Sequence, residues 1–534
     1  MDYATRRRIG RTALCLGTTL ALAMQAAPAG AGATPAIDVT GGQVVGHSND
    51  GVQEFLGIPF AAPPVGPLRF RPPAPVEPFG LLDAADYSGS CPQVEAIIGT
   101  PSENEDCLYL NVWSPDLSPE EPRPVMVWIH GGGNVSGSTG DLIPFPPYEG
   151  QRFYDASNLA GQRNVVVVSL NYRLGVFGFF GHADLADESL DHPYAGNQGL
   201  LDQVAALVWV RDNIASFGGD PANVTIFGES AGSWDVCAHM VSPLSSGLFH
   251  RAISQSGGCS VGVQTAEDAD VSANAIAAAL GCDGVADELA CLRAVPVADL
   301  LAAGPAGEAS PGIGANLGIS IDGRMVPDHP RDMFDAGDFE RVPYILGANS
   351  DEGTLFFAGS EPIETEEEYQ AELLTRFGDF AEEVALLYPS DDFDSVQDAL
   401  VRVVGDASLV CSTFDVAKRV AAHKNRTYVY NFARVPPLPF VSLLDLGAFH
   451  GAEIAYVFGS VEAPTPTDNS IGVRMREYWS RFAENGKPKA TKALGWPKFN
   501  AKSQKVLRIN AEFNKLAGFR RAQCEFWSTV YETL

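Results

Sequence analysis

The segment Asn223-Val224-Thr225-Ile226-Phe227 is rich in β-branched residues, carries no charge, and runs without a break into Gly228-Glu229-Ser230-Ala231-Gly232. Residues Ser233 to Met240 then have helical character, so the chain passes from strand to helix within five residues. A serine at the centre of such a turn sits in strained backbone. The positions two before and two after it must be small, so that strand and helix can approach each other. Gly228 and Gly232 meet that demand.

Two further runs resemble this strand. Val125-Met126-Val127-Trp128-Ile129 is continuous and apolar, and Val165 to Leu170 is β-branched; a helical segment from about Leu200 to Phe217 precedes the third run. Strands without polar alternation, separated by helices, predict a mainly parallel sheet covered on both faces. Strand character resumes at Tyr344 to Gly347 and at Arg426 to Phe432, while Val39 to Phe60 reads as short meander strands. The stretch from about Ala266 to Gly318 is Ala-rich and then Gly- and Pro-rich, which reads as an insertion above the sheet. The Pro-rich loops Ile143 to Pro147 and Pro436 to Pro439 suit either pocket rims or rigid surface connections. No repeat or heptad interrupts the 534 residues, so one catalytic domain over 34–534 is expected.

Residues 1–33 stand apart. Arg6, Arg7, Arg8 and Arg11 precede an apolar stretch from about Thr12 to Met24, and small residues follow, ending Ala31-Gly32-Ala33. This is the pattern of an export signal, and it predicts a secreted or periplasmic protein. A twin-arginine address is a fainter reading of the same residues. No later segment reaches about 18 uninterrupted apolar residues, so no integral membrane anchor is expected. Removing the leader takes three net positive charges from a chain of formal charge -30, leaving -33. So acidic a surface repels phosphate backbones and argues against nucleic acid as a partner.

Cys15 leaves with the leader, and eight cysteines remain: Cys91, Cys107, Cys237, Cys259, Cys282, Cys291, Cys411 and Cys524. An even count in an exported chain predicts disulfides. The spacings lack paired C-x-x-C clusters, so no structural metal is expected. Nearness in sequence suggests Cys91 with Cys107 and Cys282 with Cys291.

A serine hydroxyl needs a base, an acid that orients the base, and donors for the oxyanion. His130-Gly131-Gly132-Gly133 closes the first apolar run with a glycine turn suited to presenting backbone N–H groups, to which Ala231 adds its own. Among the histidines after Ser230, the order serine, acid, histidine brings His250, His329, His423 and His450 into consideration as bases. His250 follows the serine too closely, His329 lies in a Pro-flanked turn and His423 has a polar helical context. His450, in the Gly-flanked Gly447-Ala448-Phe449-His450-Gly451, remains. The acid should follow the strand at Tyr344 to Ala348, where Asp351 and Glu352 compete.

Together these residues resemble the type-B carboxylesterase/lipase family. The likeness covers almost the whole mature chain, through Phe55-Leu56-Gly57-Ile58-Pro59-Phe60-Ala61, Glu105-Asp106-Cys107-Leu108-Tyr109-Leu110-Asn111-Val112, Asn171-Tyr172-Arg173, Gly196-Asn197-Gln198-Gly199 and Phe217-Gly218-Gly219-Asp220-Pro221. The resemblance implies the α/β-hydrolase fold, with a large mostly parallel sheet, flanking helices and helical insertions over the active site. It implies Glu352 rather than Asp351 as the acid, His450 as the base, and Gly132, Gly133 and Ala231 as oxyanion donors. It further implies the bridges Cys91–Cys107, Cys282–Cys291 and Cys411–Cys524. Cys237 and Cys259 have no general family counterpart and either pair together or stay reduced.

Two departures bear on substrate. The loop between Cys91 and Cys107 has no aromatic residue, which disfavours choline esters, and Asn134 stands where the family commonly has an aromatic. Glu229 is equally readable as a second pocket carboxylate or as a hydrogen-bonded structural group. The expected activity is cofactor-free hydrolysis of small to medium carboxylic esters through Ser230. A lipase for longer chains and a non-catalytic adhesion protein of the same fold are the alternatives.

Overall fold

Val125, Val127 and Ile129 point to one side of their strand and Met126 and Trp128 to the other, following the two-residue repeat of a strand. All five are fully buried. Both faces are covered, which is why no polar residue interrupts the run. The first three join a core cluster with Leu207, Val236 and Met240, whereas Met126 and Trp128 pack with Met475, Trp479 and Phe458. The sheet thus separates two apolar layers.

The structure is a computed structural model that describes residues 32–533 apart from 95, 97, 98, 189–195, 305–317 and 492. Except for Gly32 and Ala33, the expected leader lies outside the described residues. The central sheet has twelve strands: β1 (Gly32–Ala33), β2 (His47–Asn49), β3 (Val52–Pro59), β4 (Tyr109–Ser114), β5 (Arg123–Ile129), β6 (Val166–Leu170), β7 (Gly219–Glu229), β8 (Arg251–Gln255), β9 (Tyr344–Asn349), β10 (Thr427–Phe432), β11 (Lys505–Ile509) and β12 (Asn514–Ala517). Their spatial order is β1-β2-β3-β4-β6-β5-β7-β8-β9-β10-β11-β12. Pairing is parallel from β6 through β11 and antiparallel at both ends. A separate three-stranded sheet joins Ile37–Val39, Gly42–Val45 and Gly80–Asp83.

The helices that matter for the site are α1 (Ser157–Arg163), α2 (Gln198–Asn213), α3 (Ala231–Val241), α4 (Ala266–Ala279), α5 (Val396–Gly405), α6 (Cys411–Ala422), α7 (Ile454–Phe458), α8 (Pro466–Asn485) and α9 (Arg521–Tyr531). The α2 helix stops at Asn213 and a tighter turn carries the chain on to Phe217, closing the segment read as one helix. The α4 region, with Leu289, Leu292 and Leu300, packs on Phe70, Phe177 and Phe180 as a small core of its own.

Among the described residues four disulfides are present: Cys91–Cys107, Cys237–Cys259, Cys282–Cys291 and Cys411–Cys524. Cys237 and Cys259 therefore pair, tying α3 to the loop after β8. Cys411–Cys524 joins α6 to α9 across 113 residues. Closing so long a loop restricts the unfolded chain most, so Cys411→Ser with Cys524→Ser should cost about 2 to 5 kcal/mol, read as a lower midpoint in denaturant. An unchanged midpoint would show that the bridge contributes nothing.

Candidate active site

The C-terminal edge of the parallel strands, where open α/β sheets bind ligands, gathers the expected residues. At the end of β7 the backbone turns through Ser230, with φ 57° and ψ -123°, into α3. A non-glycine residue in that region costs about 1 to 3 kcal/mol and persists only when its surroundings enforce it. Here they do. A Cβ on Gly228 would lie 2.4 Å from the carbonyl oxygen of Gly232, and one on Gly232 would lie 2.1 Å from that of Ile129. The Ser230 N–H is fixed by donating to the Gln255 carbonyl at 2.9 Å.

Beyond β5, Gly132 and Gly133 adopt φ of 108° and 65°. Both line the same cavity as Ser230. Among the described residues, the N–H groups of Gly132, Gly133 and Ala231 donate to no hydrogen-bond acceptor. His130 lies behind this turn, fully buried and stacked on Tyr172; burial pulls its pKa down to about 4, which keeps the ring neutral.

Of the two competing acids, Glu352 meets the histidine: its Oε2 accepts from His450 Nδ1 at 2.6 Å, while Oε1 accepts from the Asn349 N–H at 2.5 Å. Asp351 points elsewhere, bonding the Ala448 N–H at 2.9 Å and Arg402 at 3.1 Å. The other histidines after Ser230 serve local roles, His239 being buried between Gln203 and Ser245. His250 accepts from the Val224 N–H, His329 caps a helix and His423 reaches the Asp335 carbonyl.

Two carboxylates complete the surroundings. Glu229 is buried and lines the cavity; its Oε1 lies 3.4 Å from His450 Nε2 and has no hydrogen-bond partner among the described residues. Glu453, which the sequence reading does not single out, is fully buried three residues after His450, where it accepts from Gln255, Asn349 and Tyr430. Its signal is a lone carboxylate in the apolar stretch Ala452-Glu453-Ile454. Glu453 holds Asn349, and Asn349 in turn holds Glu352.

Burial alone would lower the pKa of His450, but Glu229 and Glu352 outweigh it and raise the pKa to about 9. Burial likewise raises Glu229, to about 8. A general base must be neutral to accept a proton, and each neighbouring carboxylate favours the charged ring. Glu229→Gln should therefore lower the His450 pKa and move the acid limb of the kcat/KM profile down by about one pH unit. A limb that stays in place or moves up would refute this electrostatic role.

The cavity encloses about 960 Å³. Trp234, Phe356, Leu409 and Phe449 give it apolar walls, and both Pro-rich loops form part of its rim, where Phe145 and Phe440 stack at 4.8 Å. Asn134 is outside it. Its backbone is left-handed, with φ 59°, and its side chain bonds Asp235 and Tyr172. The asparagine at this position thus serves the turn and does not line the pocket.

The sequence profile of the Carboxylesterase family matches residues 33–527. The chain belongs to the carboxylesterase family. It is a carboxylic-ester hydrolase with the α/β-hydrolase fold. Human cocaine esterase is 35% identical to it over 529 residues, covering 91% of this chain and 89% of the relative. The para-nitrobenzyl esterase of Bacillus subtilis (strain 168) is 34% identical over 490 residues, 88% and 94% of the two chains. Among solved structures, a PNB esterase superposes with a TM-score of 0.77 at 34% identity, over 92% of this carboxylesterase and 99% of the other chain. A thermophilic PNB esterase gives 0.78 at 33% identity, with the same coverage.

Proposed function

We propose that Ser230 is the nucleophile, His450 the general base and Glu352 the acid that orients it, in hydrolysis through an acyl-enzyme. Ser230 Oγ adds to the ester carbonyl as His450 Nε2 takes its proton. The alkoxide departs with that proton, leaving the acyl group on Ser230. Water activated by the same imidazole then releases the acid. Gly132, Gly133 and Ala231 stabilise the oxyanion; each such donor lowers the barrier by about 2.7 to 4 kcal/mol. The contact that carries this reading is His450 Nδ1 to Glu352 Oε2 at 2.6 Å, with Ser230 on the strained turn of the same cavity.

The preferred substrates are small to medium carboxylic esters, a choice supported by a cavity of drug-sized volume with apolar walls. The enzyme acts as one catalytic domain over 34–534 that is exported after loss of 1–33, a view supported by four disulfides. Rapid mixing with nitrophenyl esters of increasing acyl length tests the substrate and the intermediate together. The expected result is a nitrophenol burst of one equivalent, with kcat/KM highest for short and medium chains in solution. Hydrolysis confined to emulsified long-chain esters would favour a lipase and overturn the preference.

A further inference from the structure

The α8 helix places Asp468, Gly472 and Arg476 four residues apart, on one face, and all three line the cavity that holds Ser230. Side chains on a helix lean toward its N-terminus, so Arg476 folds back over Gly472. A Cβ there would lie 3.0 Å from Arg476 Nη1, and one on Gly459 only 2.7 Å from it. Two glycines thus make the space that the guanidinium occupies.

Arg476 is only 6% exposed. Its Nη1 donates to the Tyr456 carbonyl at 3.1 Å, and among the described residues its buried Nε has no partner. Among the described residues no carboxylate forms an ion pair with it. Asp468 is already engaged with Arg434 at 2.7 Å and with the Tyr456 hydroxyl at 2.8 Å. The charge that acts on Arg476 is a second cation, Arg163 of α1, whose Nε is also buried without a partner among the described residues. Burial and this neighbour together pull the Arg476 pKa down to about 10. A buried guanidinium lacking a counter-ion is costly, and an anion that reaches it recovers much of the loss.

The cavity connects this cation to the reaction centre. His450 and Ala452, then Ile454, Ala455 and Tyr456 at the start of α7, line it in succession, and the five residues of α7 span about 7.5 Å. We infer that Arg476 is a substrate-recognition residue that takes a carboxylate at the far end of the ester, so that half-esters of linear dicarboxylic acids are favoured substrates. The inference rests on Ser230 as the point of attack. The acyl chain then runs along α7, with its ester carbonyl at Ser230 and its free carboxylate in the guanidinium fork.

Monoethyl adipate, suberate and sebacate, compared with ethyl hexanoate, octanoate and decanoate, test it. The ratio of kcat/KM for each half-ester to that for its neutral partner should fall about ten- to a hundredfold in Arg476→Met, and Arg476→Lys should restore part of it. An unchanged ratio would overturn the inference. Should Arg476→Met fail to fold, calorimetric titration of the unaltered protein with suberate and octanoate decides: suberate must bind more tightly, and equal or weaker binding refutes the site. Full activity in Ser230→Ala would defeat the nucleophile assignment, yet the suberate titration would still test Arg476 independently.

Discussion

Ser230→Ala lowers kcat for a short-chain nitrophenyl ester by roughly 10⁴- to 10⁶-fold, because the acyl-enzyme has no oxygen on which to form. The change removes one buried hydroxyl and keeps a Cβ at a position whose φ of 57° the turn already enforces. The backbone hydrogen bond from residue 230 to Gln255 survives, so the far-ultraviolet spectrum and the thermal midpoint should stay close to those of the parent. Turnover lost with the fold retained is the expected pair of observations. Retention of full turnover would remove Ser230 from the mechanism.

Glu352→Gln is the second large effect. The carboxylate at 2.6 Å from His450 Nδ1 fixes the imidazole with Nε2 toward the cavity and stabilises the charged ring formed during attack. Glutamine keeps the shape but not the charge, and its amide can present a donor where an acceptor is needed. A loss of about 10²- to 10⁴-fold in kcat follows, with KM changing little. Asp351→Asn is the matched control, since that side chain bonds the Ala448 N–H and Arg402 instead of the histidine. Greater damage from Asp351→Asn than from Glu352→Gln would reverse the choice between the two acids.

Much of this arrangement is legible in the sequence because it is local. An unbroken apolar run reports a strand covered on both faces, and the Gly228 and Gly232 spacing reports a turn in which a Cβ would collide with backbone. The carboxylate cannot be chosen that way. Asp351 and Glu352 are adjacent, follow the same strand and differ only in reach; direction is decided by Ala448, Arg402 and Asn349, which lie outside the pair. Resemblance to the family chooses Glu352, and in the structure it is Glu352 that touches His450.

Long-range features are the least visible. Pairing of Cys237 with Cys259 depends on α3 lying beside the loop after β8, a distance no spacing rule contains. Glu453 escapes a reading of the sequence because its importance lies in three donors on three different strands, Gln255, Asn349 and Tyr430. Asn134 reads as a change in the pocket, yet its short side chain serves a left-handed turn and points at Asp235.

The central claim is a covalent bond between the acyl group and Ser230. Reaction with a fluorophosphonate ester, followed by peptide mass mapping, tests it directly: one equivalent of label on Ser230, with loss of esterase activity in proportion to labelling, is the predicted result. Inactivation with the label on another residue, or complete labelling of Ser230 with activity retained, would contradict it.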